Sequence, residues 1–189
     1  MSYLLLNGMK EKDSFFFKII EIIENYLTVK NVETINLLEK EIKPCLGCFK
    51  CWVQTPGICI IDDFGRDVAK KYIQSDNVIY LTSIIFGNFS SELKKAVDRT
   101  LPLTSPFFDE YEGTMCHESR YNKYPNLIAF GILNNPDKTE EEIFHSLVEK
   151  NADSRFSLKK LSKVIYRTDD YETIKQKIES ILSLGRIKK

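Results

Sequence analysis

Charge of one sign is missing from this chain. Its 27 lysines and arginines are matched by 27 aspartates and glutamates, so the formal net charge is zero. That removes any general electrostatic pull toward nucleic acid or an anionic membrane surface. Long hydrophobic runs are missing too, since no apolar stretch reaches the roughly eighteen residues that a membrane span needs. The N-terminus lacks the basic-then-apolar pattern of a secretory signal, and a cytoplasmic protein is expected. There is no internal repeat, linker or low-complexity segment. The 189 residues therefore read as one domain, 1–189, long enough to bury a core without covalent staples. Histidine is scarce, at two residues, and the five cysteines are an odd number. In a reducing compartment that argues against a disulfide framework.

What is present is an alternation of two periods. Tyr3–Leu6 is a short apolar run closed by Asn7-Gly8, the pattern of a strand buried on both faces. From Ser14, Phe16, Ile19, Ile20, Ile23 and Leu27 recur at helical spacing and stop near residues 26–30. Strands are predicted again at 32–37, 78–81, 127–133 and 164–166. Helices are predicted after Asp62 or Asp63 (Val68, Tyr72, Ile73), after Ser90 or Ser91 (Leu93, Ala96, Val97, Leu101), from Thr139 (Ile143, Phe144, Leu147, Val148) and over 170–184. Five strands alternating with five helices predict an α/β fold, a three-layer sandwich on a parallel sheet of order 2-1-3-4-5. Ligands of such sheets bind beyond the carboxyl ends of the strands. Residues 102–125, with Pro102, Pro106, Phe107, Phe108, Tyr111, Tyr121, Tyr124 and Pro125, show no sustained period and read as a long ordered excursion.

Four of the five cysteines fall in one loop at 44–63, as Cys45, Cys48, Cys51 and Cys59 with C-x2-C-x2-C-x7-C spacing. Thr55-Pro56-Gly57 is a turn signal able to bring Cys59 back toward the others. Following strand two, the loop is expected on the ligand side. Four thiolates suit a [4Fe–4S] cluster. Zinc also takes four thiolates, though more often from two separated C-x2-C pairs. A redox-active thiol pair and small cysteines that only pack remain open beside these.

The runs C-L-G-C-F-K-C-W…G-I-C-I-I-D-D at 45–63 and F-G-N-F-S-S-E-L-K-K-A-V-D-R-T at 86–100 resemble the NADPH-dependent FMN reductase group of the flavodoxin superfamily. Within that group they resemble the iron–sulfur flavoproteins. The resemblance implies a flavodoxin-like fold with FMN bound non-covalently. The phosphate would lie on the first loop (Gly8, Met9, Lys10, Ser14) and the ring against Ser83, Ile84, Ile85, Phe86, Gly87, Asn88 and Asn134. It further implies NAD(P)H or a ferredoxin-like donor, a small-molecule electron acceptor such as a quinone, and a homodimer or homotetramer whose subunits complete each other's sites. Cys45, Cys48, Cys51 and Cys59 are then the metal candidates. The family's first loop usually reads G-S-P-R, where this chain has Gly8-Met9-Lys10-Glu11. Its third loop often carries Pro and Tyr, where this chain has Ser83 and Ile85.

In the excursion, Cys116-His117-Glu118 with Arg120-Tyr121 offers donors for a flavin edge or a substrate carbonyl. His117 is the candidate proton donor, against the commoner role of a hydrogen-bonded surface histidine. His145 reads as structural. Asp62 and Asp63 suit either the tuning of a redox centre or a helix cap. Lys94, Lys95 and Arg99 suit either a nicotinamide phosphate or a solvated helix face. Two other classes stay open: a non-enzymatic electron carrier, and a flavin-free relative with a binding role.

Overall fold

The structure is a computed structural model and describes residues 1–9, 14–27, 31–111 and 114–186. Five parallel strands form its main sheet: β1 (Tyr3–Asn7), β2 (Val32–Asn36), β3 (Asn77–Ser83), β6 (Asn126–Leu133) and β7 (Lys160–Tyr166), side by side as β2-β1-β3-β6-β7. The spatial succession is that of a flavodoxin-like sheet. Its numbering differs from the expected 2-1-3-4-5 because the excursion is itself folded into two strands. These are β4 (Thr104–Tyr111) and β5 (Thr114–Ser119), an antiparallel pair with a register shift between Thr104 and Phe108. Alternation is weak there, and Pro106 argues against a strand by itself. The pairing was therefore not visible in the periodicity.

Around the sheet lie α1 (Ser14–Leu27), α3 (Phe64–Gln74), α4 (Ser91–Asp98), α5 (Lys138–Asp153) and α6 (Tyr171–Arg186), with a one-turn α2 (Lys50–Val53) inside the cysteine loop. Side chains alternate faces along a strand, so each strand feeds two cores. Leu4, Leu6, Val78, Tyr80, Leu127 and Ala129 meet Val68, Tyr72, Leu93 and Phe144 on one face. Leu5, Ile79, Leu81, Ile128, Phe130 and Ile165 meet Phe16, Ile19, Ile23, Ile174 and Ile178 on the other. Burial on both faces is why these strands read as continuous apolar runs.

Helix starts are fixed by side chains. Asp63 accepts from the Gly65 amide, Ser90 from Leu93 N, and Asp137 from Thr139 N and Glu140 N. Each carboxylate or hydroxyl thereby satisfies an amide that the helix itself leaves unpaired. Among the described residues no helix is long and apolar enough to cross a membrane.

Candidate functional site

The carboxyl ends of β3, β6 and β7 open into a cleft of about 440 Å³. It is lined by Ser83, Ile84 and Ile85 from the end of β3, and by Ile132 to Asp137 from the end of β6. Phe16, Ser90, Glu140 and Arg167 complete the wall. Two backbone bonds clamp its floor: Ile84 N donates to Ile132 O at 2.9 Å, and Arg167 N donates to Leu133 O at 2.9 Å. The loops after three neighbouring strands are thus tied to one another before any ligand binds.

Behind Ser83 the chain turns sharply. Ile85 and Asn88 exchange both backbone hydrogen bonds, with Phe86 at φ 51° and Gly87 at φ 73° between them. Two successive positive φ values make this a tight turn of the mirror-image type. Gly87 is needed twice over, since a Cβ there would stand 2.3 Å from Ile143 Cγ2. Phe86, 91% exposed, projects from the tip.

Of the expected flavin residues, Ser83, Ile84, Ile85 and Asn134 line the cleft, whereas Phe86, Gly87 and Asn88 form the turn beyond it. In the first loop, where the resemblance places the phosphate, the Gly8 and Met9 amides are bonded within the protein. Gly8 N is engaged by Leu81 O at 2.9 Å, and Met9 N by Asn7 Oδ1 at 3.1 Å. Gly8 O accepts from Ser90 Oγ at 2.6 Å, and a Cβ on Gly8 would come within 2.6 Å of Leu93 Cβ. Gly8 therefore serves the close approach of the first loop to α4. Ser14 stands exposed at the start of α1. Lys10 lies outside the described residues.

No residue of the cysteine loop lines this cleft, and the loop's stems are held at the far end of α4. Ser90 caps the end of α4 that touches Gly8, and Arg99 caps the other end, about 13 Å away at 1.5 Å per residue. Arg99 is fully buried and holds both stems of the loop. Its guanidinium donates to Asp63 Oδ1 and Oδ2 at 2.8 and 2.9 Å, to Lys43 O at 2.8 Å and to Ile61 O at 3.0 Å. Asp63 also accepts from Lys43 N at 2.8 Å and Gly65 N at 2.9 Å. Burial alone would push its carboxyl up, but the Arg99 guanidinium and those two amides outweigh it and hold the pKa below the ordinary value. Asp63 is thus a helix cap and an ion-pair partner together. Arg99 is not part of a solvated face, whereas Lys94 and Lys95 are, paired with Asp98 and Glu92.

All four loop cysteines are free. Burial pushes the Cys51 thiol up to about 11, and the fields of Cys59, Cys45 and Cys48 push in the same direction. The donor set suits a thiolate-bound centre in type and number. Among the described residues, however, no three His, Cys, Asp or Glu side chains converge as metal ligands. As the side chains stand the loop does not close round a cluster, and no electron-transfer step is derived through one.

His117 also lies away from the cleft walls. It sits in a row of rings, 4.5 Å from Phe108 and 4.8 Å from Trp52, which in turn stacks on Phe49 at 5.1 Å. Its Nδ1 is buried without a hydrogen-bond partner. Trp52 Nε1 and the Arg120 guanidinium both donate to Thr104 O, fastening the cysteine loop to the hairpin base. His117, Cys116, Tyr121, Tyr124, Phe156 and Lys160 line a second cavity of about 660 Å³. It is larger than the cleft but lies where β6 and β7 begin, the end of a parallel sheet that seldom binds ligands. His145 is structural, its Nδ1 2.7 Å from Ser162 Oγ. Arg167, which follows the last strand and lines the cleft, was not singled out in the sequence because no motif surrounds it.

Against known proteins, the pattern of the NADPH-dependent FMN reductase family matches residues 1–115. An iron–sulfur flavoprotein of Methanocaldococcus jannaschii is 35% identical over 85 residues, 44% of this chain and 43% of that one. One of Archaeoglobus fulgidus is 31% identical over 101 residues, 53% and 49% of the two chains. The chain thus matches less than half the length of these curated relatives. An NAD(P)H:quinone oxidoreductase of Methanothermobacter marburgensis superposes with TM-score 0.64 at 14% identity, covering 98% of each chain. An FMN-dependent NADH-azoreductase of Bacillus anthracis, solved with FMN, superposes with TM-score 0.65 at 12% identity, again covering 98% of each. At such identities the likeness to the solved structures is one of fold.

Proposed function

The chain belongs to the NADPH-dependent FMN reductase family, and from that premise we propose that it is a flavin-dependent oxidoreductase that takes reducing equivalents from NAD(P)H and delivers them to a small acceptor of the quinone type. The observation that carries this reading is the cleft at the tips of β3, β6 and β7. Its volume lies within the range of about 300–1,000 Å³ usual for small-molecule sites. It also lies beyond the carboxyl ends of the strands, the side on which doubly wound sheets bind their ligands.

A bound FMN would supply the hydride-accepting ring. The protein's part is placement. Ile84 and Ile132 give the cleft an apolar wall, Ser83 and Asn134 present polar groups at its rim, and the Ile84–Ile132 backbone bond keeps the two loops in register. Exposed Phe86 on the turn and exposed Phe107, Phe108 and Met115 on the hairpin support a homodimer.

The test is reconstitution. The purified chain should take up one FMN and turn yellow, and NADPH or NADH should bleach it anaerobically. A chain that binds no flavin after incubation with excess FMN defeats the reading. Flavin uptake without bleaching makes it a carrier that needs a protein donor.

A second reading, a thiolate-bound iron–sulfur centre in the cysteine loop, is favoured by the C-x2-C-x2-C-x7-C spacing of its four free cysteines and by the likeness to iron–sulfur flavoproteins. Anaerobic preparation with iron and sulfide analysis decides it. Cys48→Ser should then remove the iron, and an unchanged iron content sinks that assignment.

A further inference from the structure

We propose that the second cavity, beside the hairpin, is a binding site for an organic ammonium ion that carries an aromatic or apolar body. Its lining shares no residue with that of the cleft, so the site stands whether or not the cleft holds a flavin. Its volume of about 660 Å³ falls within the range of about 300–1,000 Å³ usual for small-molecule sites. Most of its wall comes from the hairpin, the segment leading into β6 and the turn after α5. It is not built from strand tips, so the preference of parallel sheets for ligands at their carboxyl ends does not bear on it.

The charges of the lining select the sign of the occupant. Lys123 is paired with Asp76 and Lys160 with Asp153, whereas Asp109, Glu110 and Glu118 have no ion-pair partner among the described residues. A phosphate or carboxylate is therefore repelled, and a cation attracted. Tyr121, Tyr124 and Phe156 stand beside these carboxylates. The Tyr121 and Tyr124 rings cross at 72° with centres 6.1 Å apart, and those of Tyr124 and Phe156 at 50° and 5.0 Å. Rings set at such angles make a corner, the arrangement in which aromatic faces surround an ammonium. Among the described residues no lysine or arginine of the chain lies over any of the three. Phe156 is held there against its backbone preference. Bonds from Phe156 N to Asp153 O and from Ser157 N to Ala152 O close α5 with Phe156 at φ 54°, where glycine is usual. The next residue, Ser157, also lines the cavity, is 5% exposed, and has no hydrogen-bond partner for its Oγ. Buried polar atoms are normally paired, and an ammonium N–H is the donor that this oxygen lacks.

The experiment titrates the full-length protein at pH 7 with three probes of similar size and different charge: benzylamine, benzyl alcohol and benzoate. Isothermal titration calorimetry gives the affinities. The fluorescence of Trp52 should move with the same midpoint, because this sole tryptophan lies 4.8 Å from the ring of cavity-lining His117. The cationic benzylamine should bind at least about tenfold more tightly than either of the others. Tyr121→Leu should weaken it by about threefold to thirtyfold, and Glu118→Gln by about twofold to fivefold, with benzyl alcohol less affected by both. Glu118 is exposed, so its substitution keeps the test open if Tyr121→Leu fails to fold, which thermal melting followed by circular dichroism reveals. No benzylamine binding below about 10 mM, equal affinity for all three probes, or tighter binding of benzoate overturns the assignment. So does benzylamine binding that both substitutions leave unchanged, because the ion then sits elsewhere.

Discussion

Replacing Asp63 by asparagine removes one negative charge from a place where four N–H groups point at it, with almost no change of shape. The two carboxylate oxygens accept from Arg99 twice and from the Lys43 and Gly65 amides, all between 2.8 and 2.9 Å. In asparagine one oxygen becomes an NH2 facing two donors, and the fully buried Arg99 keeps its charge without a counterion. Breaking one side of a buried pair costs about 3–5 kcal/mol. Against total stabilities of about 5–15 kcal/mol, that is a large fraction. It corresponds to a fall in Tm of roughly 6–20 °C for a chain of this size. The pH dependence has a definite sign. The folded-state pKa of Asp63 lies below its ordinary value, so its stabilisation is complete above about pH 4, the ordinary carboxylate pKa, and is lost as pH falls through the folded value. Urea unfolding at pH 7 should therefore separate Asp63→Asn from wild type by the full amount, and the gap should narrow at pH 3. The double variant Asp63→Asn with Arg99→Met should recover part of the loss, because no charge is left unpaired. The recovery is incomplete, since Lys43 O and Ile61 O lose their donors. A cost below about 1 kcal/mol at pH 7, or a gap that does not close on acidification, refutes the reasoning.

Three other substitutions probe the cleft and its turn. Gly87→Ala places a Cβ against Ile143 at a backbone angle that glycine alone adopts easily, and should cost about 1–3 kcal/mol in urea unfolding, with weakened flavin uptake. Phe86→Gly should do the opposite to stability, leaving it unchanged or raising it by up to about 1 kcal/mol, because an exposed phenylalanine at φ 51° is strained. Asp137→Ala removes the two hydrogen bonds that cap α5 and should lower stability by about 1 kcal/mol, measurable as a shift in the denaturation midpoint without a change in slope.

The strands and helices of the main sheet were legible because each is long in one period. Leu4, Leu5 and Leu6 can only be a run buried on both sides, and the stripe Ile174, Ile178, Leu182 can only be one face of a helix. Residue type narrowed two caps to Asp62 or Asp63 and to Ser90 or Ser91, and the structure selects Asp63 and Ser90. The hairpin was not, because its pairing is set by contacts from elsewhere: Tyr124 Oη to Leu103 O, and Trp52 and Arg120 to Thr104 O. Nor was the burial of Arg99 readable. Beside Lys94 and Lys95 it looks like one more charge on a solvated helix, and only the return of the cysteine loop encloses it.

The same enclosure shows what chain order alone leaves out about the cysteine loop. A loop that leaves the carboxyl end of β2 starts on the ligand side, and a short loop would stay there. This one runs from Leu37 to Asp63 before α3 begins, long enough to travel the length of α4, and its stems close on Arg99 rather than on Ser90. A buried guanidinium needs carbonyls and a carboxylate around it, and the loop supplies all three: Lys43 O, Ile61 O and Asp63. The stems of the cysteine loop are therefore held by the solvation of one arginine, at the end of α4 opposite the Ser90 cap.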